Sequence, residues 1–194
     1  MKKEAASFKK NKAVFLDRDG TINKEVDVLR DVKQLKVLPG AAEAIKKINH
    51  LGFLAIIITN QPVIARGWLK EKEVDEIHAV LIKRLNKKGA KIDAVYYCPH
   101  HPNANLKKYR LVCSCRKPDI GMIKKAVKEL KIDIKKSFLI GDSTSDILAG
   151  NRIGLKTILV KTGYAWQDGK YKARPDFTAK NLIEAVEIIE KRWF

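Results

Sequence analysis

The 194-residue chain is short of cysteine, of acid and of long apolar runs. Its three cysteines, Cys98, Cys113 and Cys115, cannot all pair within one chain, and two are a single residue apart, which argues against a secreted disulfide framework. No apolar stretch approaches the roughly eighteen residues that a membrane span needs. Lys2, Lys3, Lys9, Lys10 and Lys12 lead into no apolar segment of signal-peptide length, so residues 1–11 read as a solvated basic tail and the cytoplasm is the expected compartment. Internal repeats and low-complexity segments are absent as well. Acids number 22 against 40 Lys and Arg, a formal charge of +18 that favours an anionic partner without choosing among a phosphorylated metabolite, nucleic acid and an acidic surface. Lysines scattered over exposed helix faces would also serve solubility alone.

With 45% apolar residues the chain can bury a substantial core, and 1–194 is expected to form one domain. The apolar run Ala13-Val14-Phe15-Leu16 predicts a buried strand, cut off by Asp17-Arg18-Asp19-Gly20-Thr21. A polar loop over 23–36 precedes a helix over 41–51, where Ala41, Ala44, Ile45, Ile48 and Leu51 share one face. Residues 53–58 are continuously apolar, as a strand covered on both faces would be. Then follow a loop over 62–67, a helix over 70–88, a strand over 92–97 and a long loop to Pro118. Helix 119–130, strand 137–140, a helix from 143 to about 151, strand 155–160, a short edge strand at 176–178 and helix 182–191 complete the alternation. Strand and helix alternating throughout predict an α/β fold, a doubly wound, Rossmann-like parallel sheet flanked by helices.

Four polar clusters fall at or near the carboxyl edge of that sheet: Asp17/Asp19, Thr59/Asn60, Arg116/Lys117 and Asp142/Asp146. Open parallel sheets bind ligands at that edge. Asp17 and Asp142 offer the hard oxygens that Mg²⁺ prefers. A carboxylate so neutralised can attack phosphorus, and Asp19, two residues on along an extended chain, stands on the same side to move the proton. Lys117 and Thr59 would hold phosphoryl oxygens. A second constellation, Cys98-x-His100 and Cys113-x-Cys115, supplies four ligands that suit a closed tetrahedral Zn²⁺ site, with His101 as the alternative to His100.

In order and position, Asp17-Arg18-Asp19-Gly20-Thr21, Thr59-Asn60, Lys117 and Gly141-Asp142-x-x-x-Asp146 resemble the four motifs of the haloacid dehalogenase-like phosphatases. The resemblance implies that Asp17 is the nucleophile and a Mg²⁺ ligand. It makes Asp19 the general acid/base and a Mg²⁺ ligand through its backbone carbonyl. Thr59, Asn60 and Lys117 would bind phosphate, Asp142 would bind the metal, and Asp146 would support the site from behind. The stretches Cys98-Pro99-His100-His101-Pro102, Cys113-x-Cys115-Arg116-Lys117-Pro118 and Ile64-Ala65-Arg66-Gly67 resemble a capless, zinc-bearing branch whose members act on heptose 1,7-bisphosphates and histidinol phosphate. In that branch three loops, here about 23–36, 61–69 and 98–116, shape the pocket, and the zinc loop, 98–117, is structural. Arg66 and Arg116 become candidates for the non-reacting part of the substrate, a second phosphate suiting a guanidinium. Two departures, Pro62-Val63 in place of Ser-Gly and Ser143 in place of a basic residue, bear on substrate choice rather than reaction class. The expected activity is removal of the 7-phosphate of a heptose 1,7-bisphosphate by a monomer. Histidinol phosphate is the alternative substrate. A polynucleotide 3′-phosphatase, which would share Thr59-Asn60-Gln61, is disfavoured by lysines dispersed through helices without stacking aromatics.

Overall fold

The computed structural model describes residues 10–193. Six parallel strands lie in the order β3-β2-β1-β4-β5-β6, with β1 Ala13–Leu16, β2 Leu54–Asn60, β3 Ala94–Cys98, β4 Phe138–Gly141, β5 Lys156–Val160 and β6 Phe177–Ala179. The chain winds outward from β1 first through β2 and β3, then crosses back to β4, β5 and β6. The switch point therefore flanks β1, where a parallel sheet opens a crevice beyond its carboxyl ends. Six helices connect and cover the strands: α1 Ala41–His50, α2 Pro62–Ala65, α3 Glu71–Asn86, α4 Gly121–Leu130, α5 Thr144–Ile153 and α6 Leu182–Trp193.

Alternation along each strand sorts the core into two layers. Val14, Leu16, Ile57 and Ile140 join Ile45 and Ile48 of α1, Leu81 of α3 and Val186 of α6 on one face. Ala13, Phe15, Ile56, Ile58 and Leu139 join Met122, Ile123 and Ala126 of α4 on the other. Every residue of β1 is inaccessible to solvent, which explains why its sequence is a continuous apolar run instead of an alternating one. Register then fixes the site: Leu16 lies opposite Ile57 on one side and Ile140 on the other, so the residues that follow all three emerge at one edge.

Two expectations are corrected. The segment 62–67 is not all loop, because Pro62 opens α2 from the first helical position, where its missing N–H costs nothing. The tail splits in two: residues 1–9 lie outside the described residues, whereas Asn11 is pinned. Its N–H donates to the Lys131 carbonyl (2.9 Å), its carbonyl accepts from Asp133 N (2.7 Å) and its Nδ2 donates to the Leu130 carbonyl (2.8 Å). Among the described residues no helix is long and apolar enough to cross a membrane.

Candidate active site

The floor of the crevice is built on one ammonium. Lys117 is 4% exposed, and its Nζ donates to Asp17 Oδ1 and to the Ile58 carbonyl, both at 2.8 Å, and forms an ion pair with Asp146 Oδ1 at 2.6 Å. Burial pulls the lysine pKa down, but Asp146 and Asp17 outweigh it and hold it above the ordinary value. Lys117 reaches this place because its backbone is clipped to the end of β2. Asn60 Oδ1 accepts from Lys117 N (3.0 Å) and Asn60 Nδ2 donates to the Lys117 carbonyl (3.1 Å). The Asn60 amide is thus engaged in positioning the lysine.

Asp17, Asp142 and Asp146 present carboxylate oxygens within 4.8 Å of one another. One lysine cannot neutralise three acids, and the imbalance shows in their proton affinities. Burial first, then the charges of Asp146 and Asp19, raise Asp17 to about 7 against the pull of Lys117. Burial and the charges of Asp17 and Asp146 raise Asp142 to about 9. A cluster of hard oxygens with surplus negative charge fits a divalent cation. The Asp142 carboxylate is also gripped sterically. A Cβ on Gly163 would fall 2.0 Å from Asp142 Oδ2, and one on Gly20, whose φ is +79°, would fall 2.4 Å from the same atom. Glycine at both positions lets two backbones close on that oxygen, and Tyr164 N donates to it at 2.7 Å. Asp146 completes the frame as part of the α5 capping box, its Oδ2 accepting from Ser143 N (3.2 Å) and Ser143 Oγ (2.7 Å). Ser143, one of the two departures, is therefore a helix cap.

Asp19 stands beside this cluster in a clamp that sequence reasoning missed. Arg18, 1% exposed, donates from Nε to Asp19 Oδ1 (3.1 Å) and from Nη2 to Asp19 Oδ2 (2.7 Å), while Asn23 Nδ2 (2.8 Å) and Gln61 Nε2 (3.0 Å) also donate to the carboxylate. Burial pushes the Asp19 pKa up, but the Arg18 charge and these hydrogen bonds prevail and leave it below the ordinary value. Behind the arginine, Gln61 Oε1 accepts from Nη2 at 3.0 Å, and His78 Nε2 lies 2.9 Å from Nη1. Burial and the arginine depress His78 to about 3, so its imidazole is neutral and accepts. Gln61 Nε2 also donates to Thr59 Oγ1 (2.9 Å), setting the threonine hydroxyl at the rim of the floor.

Above the floor is a cleft of about 180 Å³ that Asp17, Asp19, Thr59, Asn60, Lys117 and Asp142 line from below. Its walls carry Glu25 and Asp27 from the loop after β1, Arg116 from the loop after β3, and Tyr164, Lys170 and Tyr171 from the loop after β5. That last loop was not among the three expected to shape the pocket. Arg116 is in the wall as expected. Arg66 is not, among the described residues; its guanidinium lies 4.8 Å from the Trp68 ring centroid. After burial, the charges of Arg116, Arg66 and Lys170 all depress His101, which places the three cations around one imidazole.

The cysteine cluster assembles as the spacing predicted. Cys98 Sγ lies 3.4 Å from Cys113 Sγ and 3.1 Å from Cys115 Sγ, Cys113 and Cys115 are 3.1 Å apart, and His100 Nδ1 is 3.4 Å from Cys115 Sγ and 3.8 Å from Cys98 Sγ. Metal–sulfur bonds of about 2.3 Å put tetrahedral edges near 3.8 Å, which these separations approach, whereas a disulfide needs about 2.05 Å. Hydrogen bonding from Cys98 lowers Cys115 to about 5, so a thiolate is already available as a metal ligand. Of the two histidines, His100 stands in the cluster with the three cysteines. The neighbouring His101 turns its Nδ1 to Asn103 N (3.1 Å). Arg116 Nη1 donates to the His100 carbonyl (3.1 Å), tying the cleft wall to the Cys/His cluster.

Comparison with known proteins agrees with this geometry. A HAD-hydrolase-like family model matches residues 114–185. The chain is 40% identical over 181 residues to a D-glycero-beta-D-manno-heptose-1,7-bisphosphate 7-phosphatase of Pasteurella multocida, covering 92% of this chain and 97% of that protein. It is 41% identical over 182 residues to a D-glycero-alpha-D-manno-heptose-1,7-bisphosphate 7-phosphatase of Photorhabdus laumondii, covering 93% and 98%. Among solved structures, the D,D-heptose 1,7-bisphosphate phosphatase of B. bronchiseptica complexed with magnesium and phosphate superposes with a TM-score of 0.82 at 26% identity, covering 93% of this chain and 98% of that one.

Proposed function

The chain belongs to the haloacid dehalogenase-like phosphatases, in the branch of the heptose bisphosphate phosphatases, and on that premise we propose that it removes the 7-phosphate of a D-glycero-D-manno-heptose 1,7-bisphosphate. The observation that carries the reading is Asp17, at the end of the buried central strand, paired with Lys117 at 2.8 Å and crowded by Asp142 and Asp146. In the first half-reaction an Asp17 Oδ attacks phosphorus, a P–O bond to Asp17 forms, and the ester P–O bond breaks as Asp19 protonates the leaving sugar oxygen. In the second, Asp19 takes a proton from water, which attacks phosphorus and releases inorganic phosphate and free Asp17. The Arg18 clamp favours the ionised Asp19 that this second half needs. A phosphate dianion arriving alongside raises the carboxyl's proton affinity for the first half. Lys117 and Thr59 hold equatorial phosphoryl oxygens, and Asn60 fixes Lys117.

Asp17 and Asp142, with the Asp19 backbone carbonyl, would hold Mg²⁺, which when bound offsets the charge that otherwise keeps a carboxylate from a phosphate. Cys98, His100, Cys113 and Cys115 would hold Zn²⁺ in a structural role, its binding energy folding a loop that has little apolar core of its own. Arg116 would face the second phosphate, with Arg66 adding positive potential from outside the wall.

Steady-state kinetics on a panel of phosphate esters tests the assignment. The α or β heptose 1,7-bisphosphate is expected to give the highest kcat/KM; a clearly higher value for histidinol phosphate, or for any other ester, overturns it. Running both anomers decides between the two names that its relatives carry.

A further inference from the structure

The cleft mouth is divided by charge. Glu25 and Asp27, from the loop after β1, line one side, and their charges, after burial, raise Tyr164 to about 12, which places that hydroxyl on the acidic side. Arg116 and Lys170, which both act on His101, line the cleft as well. The two cations come from unrelated parts of the chain, Arg116 from the loop of the Cys/His cluster and Lys170 from the loop after β5.

Besides the bond from Tyr164 N to Asp142, that second loop is held to the reacting edge by further contacts. Asp168 Oδ1 accepts from Thr144 N (3.0 Å) and its Oδ2 from Thr144 Oγ1 (2.7 Å) at the start of α5. Tyr171 N donates to Thr144 Oγ1 (3.2 Å), and Trp166 N to the Asp142 carbonyl (3.1 Å). Lys170 lies between the anchors at 168 and 171, so its backbone is referenced to Asp142 and α5, the elements that place the reacting phosphate. Among the described residues its ammonium has no carboxylate partner, although Glu25 and Asp27 share the same cleft. An unpaired cation on a braced loop, sharing the neighbourhood of His101 with an arginine of the same cleft, is arranged for an anion that bridges them.

We propose that Lys170 is a specificity-determining residue that, with Arg116, forms the subsite for the second, non-reacting phosphate of the substrate, while Glu25 and Asp27 accept hydrogen bonds from sugar hydroxyls. Lys170 thus takes the cleft position that the sequence suggested for Arg66. The inference rests on the bisphosphate reading above and extends it to a loop that reading does not include.

The test compares Lys170→Ala, Lys170→Arg and the neighbouring control Lys172→Ala, with Mg²⁺ present, on three substrates: heptose 1,7-bisphosphate, heptose 7-phosphate and p-nitrophenyl phosphate. Lys170→Ala is expected to lower kcat/KM for the bisphosphate by roughly tenfold or more, chiefly through KM, as loss of one charge-assisted contact does. The two monophosphates change less than about twofold, Lys170→Arg recovers most of the loss, and Lys172→Ala has no selective effect. Equal losses on bisphosphate and monophosphate, or an unchanged bisphosphate preference in Lys170→Ala, overturn the role of Lys170 alone. A wild-type enzyme that turns over heptose 7-phosphate as efficiently as the bisphosphate overturns the bisphosphate reading, and the subsite falls with it.

Discussion

Stability should respond to Mg²⁺ far more strongly in alkali than in acid. In the metal-free protein Asp17 and Asp142 have pKa values of about 7 and about 9, against 3.8 for the ordinary side chain. A carboxyl whose folded pKa is raised favours folding while both states are protonated and loses that advantage as pH climbs from the unfolded value through the folded one. Two such groups act together between about pH 4 and 7, and Asp142 continues alone towards 9, at about 1.4 kcal/mol per proton per pH unit. Between pH 5.5 and 8.5 the metal-free protein should therefore lose on the order of 5 kcal/mol, or about 10 °C in Tm for a chain of this size. Asp19 and Lys117 do not blur the window. Asp19, whose pKa is lowered, loses its contribution only below the carboxylate range, and Lys117, whose pKa is raised, only above the lysine range. Bound Mg²⁺ takes the place of those protons, so its stabilisation grows with pH. Thermal melts with chelator and with saturating Mg²⁺, at pH 5.5 and 8.5, read this directly. The metal-induced rise should be larger at pH 8.5 by about 5 °C or more, and Asp142→Asn should abolish most of the difference. An equal rise at both pH values would refute the crowded-carboxylate account of the floor.

Asp17→Asn should abolish turnover while leaving the circular dichroism spectrum and bound zinc at wild-type levels; residual turnover above about one part in a thousand would disqualify Asp17 as nucleophile. Gly163→Ala puts a methyl 2.0 Å from Asp142 Oδ2, and should weaken Mg²⁺ by more than about tenfold in titrations of activity against metal, because the ligand must move. Arg18→Lys breaks the fork that holds Asp19. It should cut kcat/KM, which reports the first half-reaction, for a sugar phosphate by on the order of 10²-fold while sparing kcat/KM for p-nitrophenyl phosphate, whose leaving group needs no proton; the second half-reaction, common to both, slows alike. Equal losses of kcat/KM on both substrates would show that Arg18 does not act through proton transfer to the leaving group.

The parts of the fold that could be read in advance are those where neighbouring residues carry the whole signal. Ala13 to Leu16 is apolar because both faces are covered, and Asp17 follows because the strand ends at a polar edge. The Cys98, His100, Cys113 and Cys115 spacing needs only one folded loop to become a cluster. Long-range partners were not legible. Arg18 between two acids looks like a residue of an exposed turn, and only its contacts with Gln61 and His78, from β2 and α3, make it a buried clamp. His78 itself is an ordinary histidine on the apolar face of a helix. Asn60 lines the cleft where phosphate binding was expected of it, and its amide also clips the Lys117 backbone, 57 residues away, a contact that the sequence does not announce. Lys170 and Tyr171 sit in a stretch that reads as solvated loop, and the contact that brings them to the cleft is Asp168 on Thr144, 24 residues upstream.

Cys115, Arg116 and Lys117 are consecutive: a member of the Cys/His cluster, a cleft-wall cation and the lysine at the centre of the floor. Three tasks that many enzymes spread over separate segments hang here on one backbone strut, fastened by the cluster at one end and by Asn60 at the other. Oxidising the cluster, or stripping a metal from it, should free one end of that strut, so that the cleft wall and the floor would fail together. Damage of that kind would then leave an inert protein in place of an indiscriminate one.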